Sequence, residues 1–281
     1  MYPAIFSGCL LFAVCMSACA AGLDEEPAKP GAVQLPGLLI NLPEACVDVE
    51  ATVCLDKGML ELVACSRGTK EHESIFSVKA RPMHLHTALL LIGAENGSPA
   101  HNRPVDPERT RWVPVPATGD RIAVFLVLPD QNQKQVEHPL HEFVLFSRER
   151  VDEVDGQIKA SPSESDGNPE RSRLESRARF PGSFVFSGSL LREREQGPRN
   201  YVADSSGHVI SIATFGDEVL SLPTRESRSN ATLSWRIRPG SLPPVGTRVI
   251  LRLRKVKSPK EGTGRNSEKT LDRRKPIEDP T

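Results

Sequence analysis

The sequence predicts a mainly β fold, an antiparallel sandwich or barrel with one short helix. Residues 47–55 (VDVEATVCL) alternate apolar and polar side chains, which is the period of a strand with one buried face. Residues 122–128 (IAVFLVL) form a short apolar run between polar turns, as in a buried strand. Further short runs of strand-forming residues, separated by Gly, Pro and Asp, are typical of sandwiches and barrels.

The N-terminus (MYPAIFSGCLLFAVCMSACAAG) is apolar and then small, as in an export signal, and is too short for the roughly 20 apolar residues of a membrane span. Met16–Cys19 resembles the lipobox of bacterial lipoproteins, although Ala18–Ala20 also fits ordinary signal peptidase. We predict a signal peptide over 1–18, lipid on Cys19 and a flexible tether over 19–37. The protein is then expected in the cell envelope or periplasm, held to the membrane by its lipid. No Lys or Arg precedes the apolar run, which leaves open a true start upstream of Met1.

One β domain is predicted over 38–255, and its first half contains a hairpin. In this interpretation residues 47–55 and 59–65 pair around the turn Asp56–Gly58, whose glycine suits a positive φ. Residues 74–78 add a strand. Residues 83–92 form the short helix, which follows Pro82 and ends at Gly93.

The second half of the domain is predicted to begin with the strand at 122–128 and its return at 141–146. Residues 149–178 are charged and Ser-rich with few apolar side chains, so we expect a disordered insertion, and residues 256–281 a disordered polar tail. The other elements are strands at 184–186, 201–203, 208–212 and 249–251, with a tight turn at 204–207. The chain contains 36 Lys and Arg against 36 Asp and Glu, and this balance argues against nucleic acid as a partner.

The densest polar chemistry lies at Cys65–Ser74, followed by His86 in the predicted helix. Thiolate and imidazole together suit zinc, copper or iron, so Cys54, Cys65, His72 and His86 form a candidate transition-metal site. The chain has no CxxC and no HExxH, and these spacings favour a structural interpretation. In that interpretation the two cysteines are small buried residues, His72 caps a loop and His86 is an interior imidazole.

Two other functions remain open at this stage. A hydrolase or redox enzyme could use His72 with Glu71 or Glu73 as acid and base, although no GxSxG is present. A non-catalytic structural lipoprotein would use the same segment for folding and offer a surface to an envelope partner. Cys46, Cys54 and Cys65 allow three disulfide pairings, none of which the sequence selects.

The order of these residues resembles the YdjY-like family of exported bacterial proteins. The likeness is carried by Gly68–Ser74 (GTKEHES) and His86–Gly93 (HTALLLIG), and more weakly by Gly207–Ile210 and Pro243–Thr247. It implies an extracytoplasmic domain of unknown function over 38–255, apart from the insertion. The chain departs from the family pattern at Phe184, where Trp is usual, and in its extra thiol at Cys46.

The resemblance also directs attention to Cys54, Cys65, His72 and His86, the reactive positions that match the motif. Some relatives are described as ferredoxin-like or associated with iron–sulfur clusters. Clusters of that kind need closely spaced cysteines, and this chain has none, so no iron–sulfur cofactor is predicted.

Overall fold

The computed structural model describes residues 31–146, 151–154, 157–160, 179–226 and 233–257, in which strand residues outnumber helical ones. The strands are β1 (Ala32–Leu35), β2 (Leu38–Asn41), β3 (Cys46–Val53), β4 (Leu62–Ser66), β5 (Ser74–Val78), β6 (His101–Pro104), β7 (Trp112–Val115), β8 (Arg121–Pro129), β9 (Gln135–Pro139), β10 (Val144–Phe146), β11 (Val151–Val154), β12 (Gln157–Ala160), β13 (Phe184–Phe186), β14 (Leu191–Arg192), β15 (Asn200–Tyr201), β16 (His208–Ser211), β17 (Leu220–Ser221), β18 (Trp235–Ile237) and β19 (Arg248–Lys255). The helices are α1 (Pro82–Leu91) and α2 (Val202–Ser206), with 3-10 turns at Glu71–Glu73 and Leu140–Glu142. None of the helices in these ranges is long and apolar enough to cross a membrane.

Eight of the strands close into a barrel-like ring. Their order is β3-β19-β8-β13-β17-β16-β4-β5, and β5 pairs back with β3. Most neighbours are antiparallel, but β4 pairs with β5 and β16 with β17 in parallel. The predicted mainly β, barrel-like fold is therefore confirmed, with a mixed rather than purely antiparallel sheet.

Strand β3 holds the ring together because it pairs with three others. Its first half pairs with β2 and its last residues pair with β5, while β19 runs along the other side. Val49 lies opposite Leu251, which lies opposite Leu126 of β8. All three are buried, as expected when alternate side chains of a strand point into a barrel.

The outer face of the same strands carries a network of ion pairs. Arg252 donates to both carboxylate oxygens of Asp48 at 2.6 Å, and Glu137 accepts from Arg252 at 2.9 Å and from Arg254 at 2.8 Å. The hydrogen bonds from Arg254, and then those from Arg252, lower the pKa of Glu137, against the effect of its partial burial. These charges are therefore satisfied within β3, β19 and β9.

The barrel interior is filled by side chains. An eight-stranded barrel is just wide enough for its inward side chains to fill the space between opposite walls. The largest fully buried ones are aromatic and aliphatic residues of the ring strands, among them Phe76, Phe184, Phe186, Leu62, Ile122 and Leu126.

Both predicted hairpin partners are wrong. Residues 59–65 do not return along 47–55, since β4 pairs with β5 and β16 instead. Similarly, β8 is followed by its return strand at Gln135–Pro139, whereas β10 pairs with β18. In each case an additional turn or strand lies between the two apolar runs.

Several predicted boundaries also change. The tether predicted over 19–37 ends earlier, because Ala32–Leu35 pairs with β2. In the segment predicted as a disordered insertion, Val151–Val154 pairs with Gln157–Ala160. The segment predicted as a strand and turn at 201–207 is instead the second helix, α2, ended by Gly207 at φ 79°. The predicted signal peptide, Cys19, the rest of the insertion and residues 258–281 lie outside the described residues.

Candidate functional site

The GTKEHES segment is a compact turn between β4 and β5. Thr69 Oγ1 donates to the carbonyl of Ser66 at 2.6 Å, and Ser74 Oγ donates to the carbonyl of Lys70 at 2.8 Å. The Glu71 carboxylate accepts from the backbone N–H of Gly68. Three of the motif's side chains are therefore used to satisfy backbone groups of the turn itself, which is the usual role of such residues in tight connections.

The turn also packs against the start of β16. Gly207 has φ 79°, and a Cβ atom placed there would lie 2.7 Å from Thr69 Cβ. The backbone N–H of Ser66 donates to the carbonyl of Gly207 at 3.0 Å. Glycine is required at 207 both by the left-handed backbone and by the close approach of Thr69. The motif thus joins two neighbouring strands of the ring.

A pair of carboxyl groups, one buried and one partly exposed, lies below the turn. Glu61 is only 7% exposed, and burial and the neighbouring Glu73 raise its pKa. Burial would raise the pKa of Glu73 as well, but the hydrogen bond from Lys70 at 3.1 Å lowers it. Because two close carboxyls do not readily ionise together, Glu61 keeps its proton more readily and Glu73 carries the charge.

The substitution Glu61→Gln is expected to stabilise the protein at neutral pH. Because folding raises the pKa of Glu61, this group adds stability at pH values below its unfolded-state pKa of about 4.3. That stability is lost as the pH rises through the folded-state pKa. Glutamine keeps a hydrogen-bond donor for Glu73 without a charge. We expect urea unfolding at about pH 7 to show a gain of about 1 kcal/mol, and almost none at about pH 4.

Substitution of the exposed Glu108, Glu108→Gln, is the control, and it should leave the free energy of unfolding unchanged at both pH values. A Glu61→Gln protein that is less stable than Glu108→Gln at neutral pH would show that the Glu61 charge is needed.

An Asp–His pair lies close to this cluster, and the spacing of its residues in the sequence does not indicate it. His208 Nδ1 is 2.6 Å from Asp217 Oδ1, and the ring stacks on Phe215 at 3.9 Å between centroids. Burial alone would raise the pKa of Asp217, but the hydrogen bond from His208 lowers it. An ionised carboxylate only accepts, so Nδ1 of His208 donates to Asp217.

This pair is poorly placed for catalysis on a bound substrate. His208 is 7% exposed, and its Nε2 has no hydrogen-bond partner among the described residues. Lys70, from the GTKEHES turn, lies 5.5 Å from the centroid of the Phe215 ring, which stacks on His208. The pair therefore belongs to the packing between the motif and β16. His208 is a polar residue at the start of the apolar run 208–212, and this is the sequence feature that could have indicated the pair.

The four residues proposed as metal ligands lie in different settings. Cys65 is buried, which raises its pKa, and Cys54 Sγ lies 3.5 Å from the carbonyl of Thr52. His72 has a side chain that is 73% exposed and contacts Glu73 at 3.1 Å. In the described part of the chain, no group of three or more His, Cys, Asp or Glu side chains could hold a metal ion. Cys46, Cys54 and Cys65 are all free thiols.

His86 is an interior imidazole that ties α1 to the barrel. Its Nδ1 lies 2.9 Å from Tyr201 Oη and 3.1 Å from the carbonyl of Gly188. Tyr201 also donates to that carbonyl, at 3.0 Å, and the edge of Phe186 packs against the imidazole. Burial lowers the pKa of His86, so the neutral ring is favoured.

The GTKEHES turn and the half-buried His86 both lie in the part of the chain that a known family covers. Residues 38–159 match the family model of the YdjY domain. The resemblance is confirmed over this stretch, which includes Gly68–Ser74 and His86–Gly93. The likeness at Gly207–Ile210 and Pro243–Thr247 lies beyond the matched YdjY residues and stays a prediction. No curated protein and no solved structure matched the chain.

The YdjY match ends before the barrel is complete. Strands β3, β4, β5 and β8 lie within residues 38–159, and β13, β16, β17 and β19 follow. The matched residues therefore supply four of the eight strands of the ring, and the closed fold needs the rest of the described chain.

Proposed function

We propose that the protein is exported to the cell envelope, is held at a membrane by lipid on Cys19, and acts there as a non-catalytic binding and scaffolding module built on the YdjY domain. The anchor rests on the Met16–Cys19 sequence at the end of an apolar leader. In this account the partner is a molecule or protein of the envelope.

One observation carries the non-catalytic part of the proposal. The polar side chains of the GTKEHES turn are engaged within the fold: Thr69, Glu71 and Ser74 bond to backbone groups, and Lys70 bonds to Glu73. His72 lies on the surface, where its only described polar contact is Glu73. A general base needs a substrate proton within hydrogen-bond reach and a site that positions it.

The metal and enzyme alternatives are not part of this proposal. Cys54, Cys65, His72 and His86 do not form a ligand group in the described residues. An acid–base role for His72 with Glu71 or Glu73 lacks support, since Glu71 bonds to Gly68 and Glu73 bonds to Lys70. The scaffolding function explains the same residues by contacts that the structure contains.

The anchor is tested by fatty-acid labelling of the full chain in a bacterium that processes lipoproteins. We expect the wild type to incorporate an alkyne fatty acid and to sediment with membranes. Cys19→Ala should lose both properties. Cys15→Ala is the matched control, because this cysteine lies within the predicted leader, and it should be labelled like the wild type.

The mass of the mature N-terminus decides between the two processing routes. Lipid-modified Cys19 as the first residue supports the proposal. An unlabelled wild type that begins at Ala21, or a Cys19→Ala protein that is labelled like the wild type, would overturn the anchor.

A further inference from the structure

A groove of about 790 Å³ lies on the outer face of the barrel, on the opposite side of the sheet from the packed interior. Its lining includes Thr52 of β3, Ile250 of β19, Val127 of β8 and Ser77 of β5, all at outward positions. The register places Ile250 beside Val127, and Thr52 beside Ser77. The groove thus crosses four adjacent strands, which form a rigid floor.

Part of the groove's lining is apolar. It is supplied by Val127, Ile250, Leu128, Pro129 and Pro243. Outward side chains on a barrel normally face water, yet Val127 is only 6% exposed. Small-molecule sites combine such an apolar lining with a few polar groups and have volumes of about 300–1,000 Å³. The groove meets both conditions.

The charges of the groove are unbalanced. Arg67, Lys79 and Arg248 line it together with one carboxylate, Glu50. None of the three cations forms an ion pair with a residue in the described ranges, whereas Arg252 of the neighbouring network binds both Asp48 and Glu137. Three cations without an ion-pair partner in the described part of the chain, beside apolar lining, give the groove a positive potential that favours an anion.

We propose that this groove binds a small amphiphilic anion, a molecule with an apolar body and one carboxylate, phosphate or sulfonate group. The apolar body would cover Val127 and Ile250, and the acidic group would lie among Arg67, Lys79 and Arg248. The inference gives a ligand class to the binding role proposed above, and it rests on that role. It does not depend on the anchor, so labelling at Cys19 and binding in the groove can fail separately.

Two dyes with nearly the same aromatic body separate charge from apolar burial. 8-Anilinonaphthalene-1-sulfonate carries a sulfonate, and N-phenyl-1-naphthylamine does not. The full chain with Cys19→Ala serves as the protein, because it needs no detergent and leaves the groove unchanged. We expect one saturable site for the anionic dye, weakened by high salt, and binding of the neutral dye that is about tenfold weaker.

Charge-removing variants locate the site. Lys79→Gln combined with Arg248→Gln should weaken the affinity for the anionic dye by about tenfold and leave the affinity for the neutral dye unchanged. Arg103→Gln, an exposed cation on β6 outside the groove, is the control and should bind like the parent. Thermal unfolding of the variants should match that of the parent, because all three residues are exposed.

The following results would overturn the proposal: no saturable site for the anionic dye, equal affinity for both dyes, or an unchanged affinity in the double variant. Laurate and dodecyl phosphate then compete with the bound dye below their micellar concentrations. Stronger displacement by one of them identifies the acidic group, and displacement by neither contradicts the amphiphile class.

Discussion

A chain that ends after residue 160 is expected to lose cooperative unfolding altogether. It keeps the residues that match the YdjY domain but lacks β13, β16, β17 and β19. Without β19, strands β3 and β8 are no longer joined, and without β16 and β17 the link from β4 to β13 is missing. Half a barrel leaves open edges and an uncovered apolar face, which favour aggregation over folding.

Circular dichroism during urea unfolding measures this loss. A chain that ends after residue 257 retains every described strand and should unfold in one transition, close to that of the full chain. A cooperative transition of similar midpoint in the chain that ends at 160 would show that the matched residues fold alone.

The substitution Phe186→Ala is expected to lower the free energy of unfolding strongly. Phe186 is completely buried at the end of β13, and His86 packs against its ring with 5.0 Å between centroids. Truncation of a buried Phe costs about 3–5 kcal/mol, because burial is lost and a cavity remains. Total stabilities are about 5–15 kcal/mol, so much of the fold's stability would disappear.

The control for this prediction is Trp112→Ala. Trp112 lies on β7 and is 52% exposed, so its loss should cost less than about 1 kcal/mol by urea unfolding. A Phe186→Ala protein as stable as Trp112→Ala would mean that β13 is not part of the packed interior.

The fold class and most strands could be predicted from local pattern. The alternation at 47–53 and the apolar run at 122–128 indicate strands β3 and β8, and Pro82 with Gly93 brackets α1 closely. Each signal is contained within a few neighbouring residues. The spacing of apolar residues and the residue types that form turns are local properties of the sequence, and the folded chain keeps them.

The pairing of strands could not be predicted in the same way. The simplest expectation joins neighbours in sequence, yet β3 pairs with β19 at the far end of the domain. Both strands alternate apolar and polar residues, so pattern alone does not distinguish this partner from a nearer one. The ion pair between Arg252 and Asp48 contributes to the register, and neither residue indicates the other in the sequence.

The site was predicted in part. The GTKEHES segment is the polar centre of this end of the barrel, and several of its side chains bond to the backbone of the turn, while His86 bonds to Tyr201. The Asp217–His208 pair and the raised pKa of Glu61 depend on contacts between distant segments, which sequence spacing does not report. The groove was missed for the same reason, since its cations come from three separate strand ends.

Methyl–methyl nuclear Overhauser effects show whether both halves of the chain form one closed barrel. Val49, Leu126 and Leu251 are buried neighbours on β3, β8 and β19. In protein labelled at Val and Leu methyls, we expect Leu251 to show cross-peaks to both Val49 and Leu126. A folded protein in which Leu251 contacts neither would contradict the closed ring and, with it, the floor of the proposed groove.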